Sequence, residues 1–372
     1  MDKHNPIPSI LLVDDSAYNI GYAHGTILRG PIHAVIAAWK NLLANETGME
    51  PQLAIERFIQ RTEYLSAIQR WTPDLLEELH GLADGAQMDF NTIFTFQLID
   101  EWGNNTSVVQ KDHCSVIGFQ PVAEQPVCIG YNIDPETYLD NYQMILHIRK
   151  SNMQMLLVTC PGMIGFGGMN SHGITVCSNT LFNLNHSEQG LPVACVVRGI
   201  LEQASTTEAI QFVQYIKHAS GQNYLIGGRE VVVDFECSAN QVVEFLPESQ
   251  LDIIWHTNHA LINDDYTFGY VAGLRKGKVS PGQKNSIGRY KAIRKHITRL
   301  DKSAPIDWLK QTLASKDSRE SPICGSRQST GFYAQAKLFT FASMIAVLGE
   351  KPELHVSFGP PDEEEYWRYI FG

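Results

Sequence analysis

The sequence predicts an α+β protein with antiparallel sheets. Helical periodicity fills the first hundred residues, short β-rich runs dominate from position 115 onward, and helices return between strands instead of alternating with them. A strict strand–helix alternation would have pointed to a doubly wound parallel sheet; this order points to stacked layers.

In the first hundred residues, apolar side chains recur at helical spacing over 20–43, through Ile32, Val35, Ile36, Trp39, Leu42 and Leu43. A second helix is expected over 51–67. Thr72-Pro73-Asp74 starts a third, a capping residue followed by Pro at the first helical position, and it continues through Leu75, Leu76, Leu79 and Leu82. Asp89-Phe90-Asn91 offers the cap of a fourth, ending near Trp102-Gly103, and the polar, aperiodic run 104–113 reads as a loop.

Strands are expected at 115–119, 127–133, 143–148, 155–159 and 174–177, punctuated by Gly and Asn as hairpins require. Helices follow at 192–203 and 207–218, then strands at 224–226, 231–235, 242–245 and 253–256. Helices at 286–300 and 306–314 and strands at 338–347 and 353–358 complete the chain.

With 372 residues, 44% hydrophobic and 19% charged, the composition is that of an ordinary globular protein with material for a substantial core. A net charge of -11 and the lack of any Lys/Arg run interleaved with aromatics argue against nucleic acid as a partner. No apolar run approaches the length that crosses a bilayer, and Met1 to Pro6 lacks the basic-then-apolar pattern of a secretory signal. Seven scattered Cys with no CxxC pair fit free thiols in a reducing compartment, so a cytoplasmic location is expected. His256 and His259 could suggest a metal, but no third ligand follows them, and neither metal nor cofactor is expected. Gly167-Gly168 reads as a structural turn because it lacks the Lys-Ser/Thr of a phosphate-binding loop.

The chemistry centres on Cys114, where the polar loop meets the first strand. Alone, such a Cys is most often a small buried hydrophobe. Its company changes the reading. Asp134 ends a strand, Gly130-Tyr131-Asn132-Ile133-Asp134, that can return beside Cys114 through a hairpin. Asn179 closes a further strand, Asn258 follows Trp255-His256-Thr257, and Arg289 lies near a helix start at Ser286-Ile287-Gly288. Taken singly, Asp134 would cap a turn, the two Asn would be turn formers, and Arg289 would be a solvated helix residue.

In order and spacing these segments resemble the acyl-coenzyme A:6-aminopenicillanic acid acyltransferase family of self-cleaving cysteine enzymes and, more distantly, the choloylglycine hydrolases. The resemblance runs from about Tyr18 to about Phe358. It includes Ile20-Gly21-Tyr22-Ala23-His24-Gly25, the stretches Trp71-Thr72-Pro73 and Leu79-His80-Gly81-Leu82-Ala83-Asp84-Gly85-Ala86, Asp112-His113-Cys114-Ser115, and Asn258-His259-Ala260-Leu261. It implies a four-layer αββα sandwich of the N-terminal-nucleophile hydrolase type.

It also implies a zymogen cut autocatalytically between His113 and Cys114. The products are a helical α fragment, 1–113, and a β fragment, 114–372, which stay associated. The freed α-amine, with a reference pKa of about 7.7–8, would then serve as base for the thiol of the same residue. Asp134 would hold that amine, Asn179 and Asn258 would donate to the oxyanion, and Arg289 would position Asp134 and the charge of the site. The expected activity is an amidase or amide acyltransferase acting on a small N-acyl amine or acylated amino acid, with acyl-coenzyme A as an alternative donor. Two departures stand out. His113 occupies a place where family members often have Gly, and its side chain restricts the strained backbone that self-cleavage uses. The acyltransferases' Arg near the C-terminal strands has no clear counterpart, Lys337 lying nearest. The rival reading is an unprocessed relative that binds an acylated ligand or a partner without catalysis; a hydrolase that works uncut, with His113 or His259 as base, lies between the two.

Overall fold

The computed structural model describes residues 9–105, 114–122, 125–246, 252–300 and 305–372. His113, and with it the expected cleavage bond, lies outside the described residues. A short strand, β1 (Ile10–Val13), leads into seven helices: α1 (Ala17–Ile27), α2 (Arg29–Thr47), α3 (Pro51–Arg61), α4 (Tyr64–Trp71), α5 (Pro73–Ala86), α6 (Phe90–Phe96) and α7 (Ile99–Asn105). The single helix expected over 20–43 is broken at Leu28. Pro31, in the first turn of α2, has no N–H to give to a carbonyl one turn back, so the chain restarts there. The helix expected over 51–67 is likewise split, because the Glu63 N–H is taken by the Glu188 carbonyl at 2.7 Å. Local chemistry sets the other boundaries. The Glu50 side chain accepts from Leu53 N ahead of Pro51, Asp89 accepts from Thr92 N, and Gly48 ends α2 in the left-handed region.

Six strands come next, β2 (Ser115–Phe119), β3 (Cys128–Ile133), β4 (Met144–Arg149), β5 (Gln154–Thr159), β6 (Gly167–Asn170) and β7 (Thr175–Thr180), followed by α8 (Val193–Leu201) and α9 (Thr206–Tyr215). After β8 (Gln222–Gly227), β9 (Val232–Cys237), β10 (Val242–Phe245) and β11 (Ile253–His256) lie α10 (Phe268–Arg275), α11 (Pro281–Ile297), α12 (Pro305–Leu313) and α13 (Phe332–Ala336). The chain ends on β12 (Ala342–Val347), β13 (Glu353–Ser357) and β14 (Tyr366–Ile370). Gly167 and Gly168 are strand residues and not the turn expected of them. The bend follows at Ser171–Gly173, and Gly168 lies so close to β5 that a Cβ would stand 2.2 Å from the Leu156 carbonyl oxygen.

An eight-stranded sheet, in the order β1-β4-β5-β6-β7-β8-β9-β10, packs against a six-stranded one, β11-β2-β3-β12-β13-β14; all pairs are antiparallel except β1–β4. The sheets meet where β2 lies on β7 and β8, and β12 on β6. Helices α8 and α9 cover the larger sheet, and α11 and α12 the smaller. The result is a four-layer αββα sandwich. Because β2 and β3 are covered on both faces, they are buried along their whole length and do not alternate with polar residues. Their side chains still alternate between cores: Val116, Ile129, Tyr131 and Ile133 join the main one, while Ile117 and Cys128 join the one under α11 and α12.

The N-terminal helices share the main core. Helices α1 and α5 cross on a glycine seam: a Cβ at Gly21 would lie 1.9 Å from the Glu78 carbonyl oxygen, and one at Gly81 2.0 Å from that of Tyr18. The glycine-containing stretches 20–25 and 79–86 are therefore a backbone contact. At its edge, Arg198 of α8 forms a bidentate pair with Glu78 of α5, both bonds 2.8 Å and both side chains buried. Among the described residues, no helix is long and apolar enough to cross a membrane.

Candidate active site

The β2–β3 hairpin builds the site. Its register sets Ser115 opposite Asn132, so Cys114, one residue before β2, comes level with the end of β3 and Asp134. The Asp134 backbone N–H is bonded to the Cys114 sulfur, and the Tyr131 hydroxyl lies 3.6 Å from Sγ while donating to the Ser178 carbonyl at 2.6 Å. Burial, reinforced by the Asp134 charge, pushes the Cys114 thiol up to about 12. In the uncut chain it is a protonated thiol, and no described imidazole or amine is hydrogen-bonded to it.

Asp134 is buried. Its Oδ2 accepts from the Tyr333 hydroxyl at 2.7 Å, and its Oδ1 has no hydrogen-bond partner among the described residues. Burial pushes its carboxyl up to about 7 against the opposing pull of Tyr333, Thr340 and the Arg289 charge.

Arg289 stands in the middle of α11 and is fully buried, contrary to the solvated position its neighbours in sequence suggest. Nε donates to Asn285 at 2.8 Å. Nη1 donates to the Cys114 carbonyl at 2.6 Å and the Ser115 hydroxyl at 2.8 Å, and Nη2 to Asn258 Oδ1 at 2.8 Å. The last bond turns the Asn258 amide so that its Nδ2 faces the other way, where it donates to the Thr180 carbonyl at 3.2 Å. The bend after β11 that carries Asn258 is anchored from below. Glu236 Oε1 accepts from His256 Nε2 and Leu261 N, and its Oε2 from Ile262 N and Asn263 N.

Cys114, Asp134 and Asn258 line one cavity of about 140 Å³, whose walls include Trp39, Leu43, Trp102, Phe166 and Val197. Asn179 lies beside it. It sits within β7, paired with Asn223, is fully buried, and does not line the cavity although Ser178 and Thr180 on either side do. Its Nδ2 has no partner among the described residues. His259 is engaged elsewhere, with Nδ1 2.7 Å from the Ser286 hydroxyl; burial, His256 and Arg289 hold it down to about 3. Lys337 is exposed at the end of α13, and among the described residues no group of three His, Cys, Asp or Glu is placed to hold a metal. Sequence reasoning missed Tyr131, Tyr333 and Asp100. Of these only Tyr131 carried a signal, being part of the Gly-Tyr-Asn-Ile-Asp stretch.

Residues 124–324 match the protein family described as acyl-coenzyme A:6-aminopenicillanic acid acyl-transferase, a span that contains Asp134, Asn179, Asn258 and Arg289. The chain belongs to that family. It is 27% identical over 246 residues to the 40 kDa form of acyl-coenzyme A:6-aminopenicillanic-acid-acyltransferase from Emericella nidulans, covering 66% of this chain and 67% of that one. Among solved structures it is similar to a Caenorhabditis elegans N-acylethanolamine-hydrolyzing acid amidase ortholog, with a TM-score of 0.43 and 16% identity over 63% of this chain and 93% of the other. It is also similar to penicillin V acylase from Agrobacterium tumefaciens, with a TM-score of 0.41 and 10% identity over 66% and 83%. Membership makes this chain an acyl-transferase type of enzyme.

Proposed function

We propose that this acyl-transferase family member is an N-terminal-nucleophile cysteine amidase or amide acyltransferase, activated by self-cleavage between His113 and Cys114. One observation carries the reading: among the described residues, the Cys114 thiol has no base, and beside it Asp134 buries a carboxylate oxygen with no hydrogen-bond partner. Freeing the α-amine of Cys114 supplies both a base for the thiol and a cation for Asp134.

In the cleavage, Sγ of Cys114 attacks the His113 carbonyl carbon. The C–S bond forms, the C–N bond breaks, and the thiol proton goes to the departing amine. Water then splits the thioester, leaving a carboxylate on His113 and a free thiol and amine on Cys114. In turnover the amine takes the thiol proton and the sulfur adds to the substrate carbonyl. Asn258 Nδ2, and Asn179 Nδ2 from the neighbouring strand, stabilise the oxyanion; a donor of this kind is worth about 10²–10³ in rate. The leaving amine takes the proton from the Cys114 ammonium, and the resulting thioester passes its acyl group to water or to an acceptor amine, hydrolysis being favoured. The substrate is a small N-acyl amine or acylated amino acid, and acyl-coenzyme A is the alternative donor.

Helices of 1–113 supply Trp39, Asp100 and Trp102 to the cavity and share its core, which supports two fragments that remain associated. All seven cysteines are free, which fits a cytoplasmic setting.

Intact mass of the wild type beside Cys114→Ala tests the proposal. Fragments meeting at 113/114 in the wild type, and one whole chain in the variant, are expected. A whole chain in both after prolonged incubation refutes processing. If a thiol-reactive acyl analogue then labels Cys114 ahead of the other six cysteines, an uncut hydrolase replaces the proposal; without such labelling, a non-catalytic binding protein does.

A further inference from the structure

Resting on the reading of Cys114 as nucleophile, we infer that the preferred substrate is an acyl amide bearing an ammonium group, which binds against Asp100 at the cavity wall. Aliphatic and aromatic side chains form most of the enclosure, and its volume of about 140 Å³ is that of a site for one ring or a short alkyl chain. The charged residues in its lining are all acidic: Glu46, Asp100, Asp134 and Glu136, with no Lys, Arg or His among the described lining residues. A substrate carboxylate placed there meets like charge in a poorly solvated space, whereas an ammonium gains a charged hydrogen bond.

Asp100 is the one of these carboxylates built to receive it. Its Oδ2 is fixed by two neutral donors, the Thr180 hydroxyl at 2.8 Å and the Gln222 amide at 2.9 Å. Its Oδ1 takes no hydrogen bond from a described residue, and no described cation offsets its charge. Asp100 and Cys114 line the same small cavity, so Asp100 is within reach of a substrate reacting at the sulfur. Asp134 Oδ1, a buried carboxylate oxygen in the same lining with no hydrogen-bond partner among the described residues, also favours a cation in this cavity; the freed Cys114 amine accounts for that one, and the substrate ammonium for Asp100. The ammonium can belong to the acyl group or to the amine portion, and the test separates the two.

The test uses three p-nitroanilides of equal length, 5-aminopentanoyl, hexanoyl and adipoyl, differing only in a terminal ammonium, methyl or carboxylate. A second pair places the difference on the amine side: N-hexanoyl-1,4-diaminobutane against N-hexanoylpentylamine, followed by mass spectrometry. The cationic member of at least one set is expected to have a kcat/KM about 10- to 100-fold above its neutral partner, the worth of one charged hydrogen bond. The adipoyl amide should be the poorest. Asp100→Asn is expected to bring the cationic-to-neutral ratio close to unity. Neutral members cleaved as fast as cationic ones in both sets, or a ratio unchanged in Asp100→Asn, overturn the inference while leaving the Cys114 amidase standing. Cleavage of no amide, with no labelling of Cys114, removes the amidase itself and the inference with it. If Asp100→Asn does not fold, the wild-type ratios alone decide.

Discussion

Replacing Arg289 by Lys keeps the positive charge and removes the fork. The guanidinium serves Asn285, the Cys114 carbonyl, the Ser115 hydroxyl and Asn258 Oδ1 from three nitrogens spread over a plane. A lysine ammonium donates from one point and can keep about two of these acceptors at once. Each hydrogen bond to a charged donor is worth about 1.5–3 kcal/mol, so losing two should lower stability by roughly 3–6 kcal/mol. That is a large part of the 5–15 kcal/mol typical of a native protein. Urea unfolding of the two chains, both carrying Cys114→Ala so that one uncut species is compared, should show the loss as a lower midpoint at unchanged slope. Function responds separately. Without the Nη2 bond the Asn258 amide is free to turn, and kcat should fall by about 10²–10³, as when an oxyanion donor is removed. Arg289→Lys added to Asn258→Ala should then cost little further rate, because both act through the same amide. A stability change under about 1 kcal/mol with kcat intact would refute the role assigned to the fork.

Asp134→Asn, measured in the Cys114→Ala chain, tests the carboxylate that awaits an amine. Its folded pKa near 7 lies above the 3.8 of the free group, so the folded chain binds the extra proton and loses stability as pH rises from about 4 through 7. The variant should be more stable by up to about 4 kcal/mol at pH 8 and no more stable at pH 3. Glu236→Gln replaces an acceptor of four hydrogen bonds with an amide that has one acceptor oxygen; a loss of about 3–5 kcal/mol is expected, with faster deuterium exchange at residues 261–263. The same change removes a carboxylate that raises the His256 pKa, a contribution to stability that is full below about 6.5 and fades as pH rises through the folded value, so the deficit of the variant should be larger at low pH and shrink as pH rises. Gly81→Ala should cost about 1–3 kcal/mol by forcing α1 and α5 apart, whereas Gly30→Ala, with nothing within 4 Å, should gain roughly 0.5–1 kcal/mol from helix propensity; thermal melts compare the two.

The hairpin that brings Asp134 to Cys114 was legible in the sequence because its signals are local: a β-rich run on each side and a strand end rich in Gly and Asn. The Asp89 cap and the helix start at Pro73 were legible for the same reason, although Thr72 makes no side-chain capping bond there. Elements whose reason is tertiary were not. Strand β6 looked like a turn because its glycines answer to the nearby backbone of β5, and nothing in Gly-Gly-Met-Asn announces that approach. Strands β1 and β14 sit at sheet edges and are four or five residues long, too short for a pattern to emerge. Arg289 looked solvated because α11 is rich in charge; its acceptors come from positions 114, 115, 258 and 285, and no window of sequence holds them together. Asn179 looked like a turn former and is a strand residue paired to Asn223. Asp100 gave no signal at all, since its significance comes from the wall it lines.

Those acceptors and Asp100 belong to one hydrogen-bonded line. Arg289 of α11 holds Asn258 Oδ1; Asn258 Nδ2 donates to the carbonyl of Thr180; the Thr180 hydroxyl donates to Asp100 of α7, which Gln222 of β8 holds from the other side. The line crosses both sheets, passes the mouth of the nucleophile, and runs from a buried cation to a carboxylate on the cavity wall. Thr180 is its shared member: its backbone serves the proposed oxyanion donor and its side chain serves the proposed ammonium site. Thr180→Val keeps shape and β propensity, leaves the carbonyl in place and deletes the hydroxyl. If the two functions are separate ends of the line, the variant loses preference for cationic amides and keeps kcat on the hexanoyl amide. If fixing Asp100 also fixes the strand that positions Asn258, kcat on the neutral amide falls as well. That comparison decides whether this enzyme recognises its substrate and stabilises its oxyanion independently or through one strand.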